Sequence, residues 1–222
     1  VGYNANLELD LDLLFDCITK RTKIVILPNP NQPTGTLIDS DTIHRLLSKT
    51  ETLGVLLVLD EAYIEFSGAD SALSLVPKHT NLCVLRTFSK AWGLAGVRLG
   101  YLAGPKIVIN NLKKVKPLLD INVLALKAAS FFIDRYHLVK DYTHDVQRSR
   151  QHILSNLSSR GLKCIPSFAN FIHIRLPTNI DSSAVIEQLL DSGYRVRCAG
   201  GVRRSNRPRK TCRSSPGYRP PR

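Results

Sequence analysis

The segment TFSKAWGLAGVRLGY, residues 87–101, sets a primary amine, Lys90, directly behind the hydroxyl of Ser89 and ahead of Arg98, within a glycine-rich run that opens on Thr87. A desolvated lysine near other cations gives up its proton and becomes a nucleophile able to condense with an aldehyde. Ser89 and Arg98 are groups that bind an anion. Upstream, VLDEAY closes an apolar run with a carboxylate, Asp60, and a phenol, Tyr63, and NPNQPTG offers two amides, Asn31 and Gln32. Behind the run VLLVL, Asp60 is costly to bury without a cationic or hydrogen-bonding partner.

The elements that must hold these residues alternate between short apolar runs and longer stretches of helical period. KIVILP (23–28) reads as a buried strand, and DSDTIHRLLSKTETLG (39–54) as a helix with acidic and hydroxyl residues at its start and Gly54 at its end. VLLVLDEAY and NLCVLRTFSK are again apolar runs that end in polar groups. VRLGYLAG is expected as a fourth strand with Arg98 at its start, and KIVINNLKKV as the helix after it. Continuous apolar runs suit parallel strands covered on both faces, which makes this an α/β domain. Beyond Pro117, INVLALKAASFFID and YTHDVQRSRQHILSNLSSRG read as consecutive helices, followed by ANFIHIRL, a helix at 181–192 and YRVRC, an α+β pattern. In an open parallel sheet, ligands sit beyond the carboxyl ends of the strands, so the polar clusters that close the runs converge on one site. These residue types suit a ligand carrying an aldehyde, a phosphate and a cationic ring nitrogen that would partner Asp60. Pyridoxal 5'-phosphate is such a molecule.

With 222 residues, 43% hydrophobic and 22% charged, the chain has the composition of a folded protein with a sizeable core. No apolar stretch is long enough for a membrane span, and the acidic N-terminal sequence does not read as a signal peptide. Five dispersed cysteines, Cys17, Cys83, Cys164, Cys198 and Cys212, have no CxxC spacing, which argues against a disulfide framework and points to the cytoplasm. Six scattered histidines lack ligand spacing and are assigned neither to metal nor to catalysis. The net charge of +13 belongs to the tail: ten Lys or Arg and no acid follow residue 194, against 21 basic and 18 acidic side chains before it. Rich in Arg, Pro and Ser, this tail has the composition of a disordered segment. It reads as a solvated extension, as an arm that seeks nucleic-acid phosphates, or as the product of a frameshift.

The segments NPNQPTGT, VLDEAYIEF and RTFSKAWGLAGVRLGY, in this order, resemble the class I/II aminotransferases, fold type I of the pyridoxal-phosphate enzymes, and within them the histidinol-phosphate aminotransferase family. The similarity runs from about residue 7 to about residue 198. It implies a three-layer α/β/α large domain with a mainly parallel sheet, here partial over 1–120. A smaller α+β domain over 121–198 and the basic tail at 199–222 complete the expected organisation. By the same resemblance, Lys90 makes the covalent link to the cofactor's aldehyde and shuttles a proton, and Asp60 keeps the pyridine nitrogen protonated. Tyr63 meets the cofactor's phenolic oxygen, Ser89 and Arg98 bind its phosphate, and Thr87 lies in the same cofactor wall. The implied reaction moves an amino group between glutamate and a carbonyl substrate such as imidazole acetol phosphate, in a homodimer.

Departures from the family pattern accompany the matches. The family has asparagine directly before PTG, where this chain has Gln32, with Asn31 one residue earlier, so either amide could meet the phenolic oxygen. A long upstream segment carrying further cofactor contacts is missing, as is the C-terminal arginine that clamps the substrate carboxylate; Arg195 and Arg197 do not replace it. The chain is therefore expected to be a truncated and potentially inactive piece. Two other functions fit parts of the sequence: a pyridoxal-phosphate lyase or decarboxylase of a phosphorylated amino acid, and a nucleic-acid-binding protein using the tail. Each residue also has a structural reading, Asp60 as the cap of a strand-to-loop turn, Tyr63 as a half-buried aromatic and Lys90 as a surface lysine. Asn170 in SFANFIHI could close a strand end or face a substrate.

Overall fold

Short apolar runs organise the N-terminal half of the molecule as the strands of one sheet. A computed structural model describes residues 1–4, 6–117 and 121–197; the tail at 199–222, Cys198, Cys212 and the boundary expected at residue 120 lie outside the described residues. Strands β1 (Ile24–Pro28), β2 (Leu56–Asp60), β3 (Leu82–Thr87) and β4 (Gly100–Ala103) form one sheet in that order. β1, β2 and β3 run parallel, with Val25 opposite Leu57 and Leu57 opposite Leu82. β4 is antiparallel to β3, pairing Thr87 with Gly100.

One face of the sheet carries the core. Val25, Leu27, Leu57, Leu59, Leu82 and Val84 pack against Leu14 and Ile18, from the region of helix α1 (Leu11–Cys17), and against Ile43, Leu46 and Leu47 of α2 (Ser40–Thr52). Each fully buried Leu of this kind contributes about 1.5–3 kcal/mol. In α2 the buried positions 43, 46, 47 and 50 follow the helical repeat. Asp39 caps the helix by accepting from the Thr42 backbone N–H at 2.8 Å and the Thr42 hydroxyl at 2.9 Å. Gly54 just beyond its end takes φ +65°.

The expectation of strands covered on both faces fails at β1. Its outward residues Ile24 and Ile26 are 54% and 63% exposed, because nothing among the described residues packs on that edge. Nor does the fourth strand begin at Val97. Residues 95–97 form a 3₁₀ turn, Arg98 adopts left-handed backbone with φ 55°, and pairing starts only at Gly100, so Arg98 lies outside the strand.

The remaining helices are α3 (Lys106–Lys113), α4 (Val123–Ile133), α5 (Tyr136–Ser159) and α6 (Ser182–Asp191). A short antiparallel pair, β5 (Lys163–Ile165) and β6 (His173–Arg175), follows α5. Residues 1–178 make one compact unit, and the second begins at Asn179, where the described residues hold α6. Residues 194–197, read from the sequence as part of a further element, have no regular structure. Among the described residues no helix is long and apolar enough to cross a membrane.

Candidate active site

Parallel strands place their carboxyl ends together, and the polar closers of β1, β2 and β3 meet there. Pro28 pairs with Asp60, and Asp60 with Leu85, so the loops that follow the three strands leave from one edge of the sheet. Asp60 is half-buried, and its carboxylate Oδ1 accepts from the Ala62 backbone N–H at 3.0 Å. That bond turns the chain toward Tyr63, which is only 5% exposed and stacks edge-on against Phe171 with ring centroids 5.7 Å apart.

The Tyr63 hydroxyl donates to Gln32 Oε1 at 2.9 Å. Of the two candidate amides, then, Gln32 faces the phenol. Asn31 turns inward: its Oδ1 accepts from the Thr34 backbone N–H at 3.2 Å and the Thr34 hydroxyl at 2.8 Å, in a buried turn that Gly35 closes by donating to the Asn31 carbonyl at 2.8 Å. Gly35 takes φ +76° where a side chain would run into Ser167. The loop is tied to the segment before β6 through the Phe168 N–H, which donates to the Gly35 carbonyl at 2.7 Å.

Lys90 completes the group. Its Nζ lies 5.0 Å from the centroid of the Tyr63 ring, a cation–π placement, and makes no hydrogen bond or ion pair among the described residues. The turn carrying it is built locally: Thr87 Oγ1 accepts from the Ser89 N–H at 3.1 Å, and the Phe88 carbonyl accepts from the Leu94 N–H at 3.0 Å. The Ser89 hydroxyl is half-buried without a hydrogen-bond partner among the described residues, so it is free to donate to a ligand. Arg98 stands apart from this arrangement. It is exposed, its Nη1 donates to the Ala95 carbonyl at 3.1 Å, and it forms no hydrogen bond with Ser89 or Lys90.

Behind these residues is a buried charge cluster that motif spacing did not single out. Arg86 donates from Nη2 to Glu65 at 2.7 Å and from Nη1 to Ser71 at 3.0 Å and Glu61 at 3.4 Å. Glu61 also accepts from the Ala72 N–H at 2.7 Å. Burial pushes the Glu61 carboxyl up, against the hydrogen bonds from Ser71 and Ala72 and the Arg86 charge. Burial alone would lower the Arg86 guanidinium, but the Glu65 charge and hydrogen bond hold it above its ordinary value. A second tether is Arg150 of α5, which donates to the Ala169 carbonyl at 2.6 Å and to the Phe66 carbonyl at 3.3 Å. The available signal for the first cluster was a pair of glutamates in DEAYIEF beside an arginine at the end of an apolar run.

This donor set fits pyridoxal phosphate: a free amine for an aldehyde, a phenol and an amide paired for an oxygen, a carboxylate beside them and an open hydroxyl. Cys17, Cys83 and Cys164 are free thiols that take no part in it.

Comparison with known proteins places this chain in a family. A family model described as aminotransferase class I and II matches residues 1–215. Histidinol-phosphate aminotransferase 1 of Carboxydothermus hydrogenoformans is 39% identical over 203 residues, 91% of this chain and 56% of that protein. Among solved structures, the histidinol-phosphate aminotransferase of Sinorhizobium meliloti in complex with pyridoxal-5'-phosphate superposes with a TM-score of 0.75 at 29% identity, over 89% of this chain and 54% of that one. L-threonine-O-3-phosphate decarboxylase of Porphyromonas gingivalis superposes with a TM-score of 0.73 at 25% identity, over 82% of this chain and 56% of that one. The chain thus spans little more than half the length of the relatives it matches. The match of the family model across nearly all of its residues, joined to the shared fold, makes this chain a member of the class I and II aminotransferases.

Proposed function

We propose that the chain is part of a pyridoxal-phosphate-dependent aminotransferase that exchanges an amino group between glutamate and a carbonyl substrate, with imidazole acetol phosphate as the favoured acceptor. The observation that carries this reading is Lys90 Nζ over the Tyr63 ring at 5.0 Å, with the Tyr63 hydroxyl held on Gln32 at 2.9 Å. The choice of substrate rests on the 39% identity with a histidinol-phosphate aminotransferase. When bound, the cofactor supplies an aldehyde for a primary amine and a ring that accepts electrons.

The chain's own residues divide the work. Lys90 offers the amine and afterwards holds or returns a proton. Asp60, whose Oδ1 already accepts from the Ala62 N–H at 3.0 Å, presents its carboxylate to a protonated ring nitrogen. Tyr63 and Gln32 bind the phenolic oxygen, while Asn31 acts one step back by shaping the loop through Thr34. Ser89 donates to the phosphate from a turn braced by Thr87. Arg98 reaches the phosphate only by leaving the Ala95 carbonyl, to which it now donates at 3.1 Å. Residues 1–120 would belong to the large domain and 121–198 to the small one, in a cytoplasmic homodimer.

The test is a visible absorption spectrum of the chain mixed with pyridoxal phosphate, before and after borohydride, with mass spectrometry of the Lys90 peptide. A band that borohydride removes, with the cofactor mass on Lys90 and none in Lys90→Ala, is expected. No band, or label spread over surface lysines, overturns the reading for this chain. A decarboxylase is the second reading, favoured by the TM-score of 0.73 with L-threonine-O-3-phosphate decarboxylase. Release of carbon dioxide from a phosphorylated amino acid, in place of amino transfer to a keto acid, would select it.

A further inference from the structure

The buried cluster behind the site joins the two loops that the functional reading needs to keep together. Glu65, with a side chain 4% exposed, sits two residues after Tyr63 and accepts at one oxygen, Oε1, from donors on two different segments. They are Arg86 Nη2 at 2.7 Å and the indole Nε1 of Trp92 at 2.8 Å, and Trp92 lies two residues after Lys90. Arg86 stands at the end of β3, immediately before Thr87, and reaches on to Glu61, the residue after Asp60, at 3.4 Å. Asp60, Tyr63 and Lys90 therefore each have, within two residues in sequence, a member of one buried network.

A buried ion pair is a poor way to gain stability, since apolar side chains of the same volume hold a core as well. What a planar guanidinium fork and an indole N–H on a shared carboxylate impose is direction: each donor has one good angle, and the acceptor is fixed by both. Trp92 is further held by the rings of Phe88 at 4.9 Å and Tyr136 at 5.4 Å. Freed from Glu65, it would let the Lys90 turn pivot about those ring contacts.

We propose that Glu65 is a positioning residue, which through Arg86 and Trp92 holds the Lys90 turn against the Tyr63 turn and so keeps the lysine amine over the phenol ring. The assignment rests on the reading of Lys90 as the reacting amine, but its test does not require the cofactor. Trp92→Phe removes the indole donor and leaves the Arg86 ion pairs in place, whereas Glu65→Gln keeps an acceptor oxygen and removes the charge. Thermal unfolding first establishes that the variants fold. The cofactor-free chain is then acetylated with limiting acetic anhydride, and modification of Lys90 is compared by mass spectrometry with that of other lysines in the same sample, such as Lys78 and Lys113.

In the folded variants Lys90 swings toward water, and its labelling relative to those lysines is expected to rise about three-fold to ten-fold, as loss of a charged hydrogen bond allows. Trp92 is the one tryptophan of the sequence, so in Glu65→Gln its fluorescence gives a second readout, expected to become more accessible to acrylamide. Unchanged Lys90 labelling in a folded Trp92→Phe variant overturns the proposal, whatever happens to Glu65→Gln. Absence of a pyridoxal-phosphate label on wild-type Lys90 would instead overturn the functional reading alone, because the acetylation ratio is measured without the cofactor.

Discussion

Replacing Gly35 by alanine inserts a single methyl where two segments of the site press together. Gly35 has φ +76°, and a Cβ built there would lie 2.8 Å from Ser167 Cβ and 3.2 Å from Ser167 Cα, with the Ser167 hydroxyl nearer still. Two costs follow. Holding an L-residue in left-handed backbone costs about 1–2 kcal/mol. Forcing a methyl against a buried neighbour whose backbone must also move costs about 1–3 kcal/mol. Together they give about 2–5 kcal/mol, a large part of the ~5–15 kcal/mol that holds a typical domain. Gly54→Ala is the internal control, because Gly54 has φ +65° but nothing within 4 Å of the new Cβ, so only the first cost applies. The assay is urea unfolding followed by circular dichroism for wild type, both single variants, Ser167→Gly and the Gly35→Ala/Ser167→Gly pair. Ser167→Gly alone removes a hydroxyl that accepts from the Ala169 N–H at 3.2 Å, so it carries its own cost, and the double-mutant cycle isolates the clash. Gly35→Ala is expected to lose about 1–3 kcal/mol more than Gly54→Ala, with much of that excess recovered in the pair. Equal losses at the two glycines would refute the steric reasoning. Because Gln32 lies in the same loop, the affinity for pyridoxal phosphate should fall together with stability.

Tyr63→Phe leaves Gln32 without its 2.9 Å donor; a loss of about 1 kcal/mol in unfolding free energy is expected, with weaker binding of pyridoxal phosphate by absorbance titration. Arg150→Met removes the donor to the Ala169 and Phe66 carbonyls, and should cost about 1.5–3 kcal/mol in denaturant unfolding while freeing the segment around Phe171 to proteolysis. Asp39→Ala uncaps α2, with an expected loss of about 0.5–2 kcal/mol near neutral pH. The Thr42 hydrogen bonds hold the Asp39 carboxyl below the ordinary carboxylate range in the folded state. Its contribution is therefore complete above the unfolded value of about 4 and is lost as the pH falls through the folded one, so the stability curves of wild type and Asp39→Ala should converge in acid.

What the sequence determined by itself was local. Apolar runs located β1, β2 and β3, the helical repeat with Asp39 and Gly54 at its ends located α2, and the polar closers nominated Asp60, Tyr63, Ser89 and Lys90, because strand and helix periods depend on near neighbours. Periodicity passed over α1 and β5, elements too short to show a repeat. Tertiary structure alone decided the direction of β4 and the place of Arg98, since a turn residue with φ 55° and a strand residue look alike in a glycine-rich run. It also gave Asn31 and Gln32 different partners, because an inward turn on Thr34 engages the shorter amide and leaves the longer one for a phenol 31 residues away. The same holds for Glu65, whose partners Arg86 and Trp92 are 21 and 27 residues distant. Spacing along a chain carries no record of such pairs; they exist only once three parallel strands have brought their carboxyl ends to one edge of a sheet.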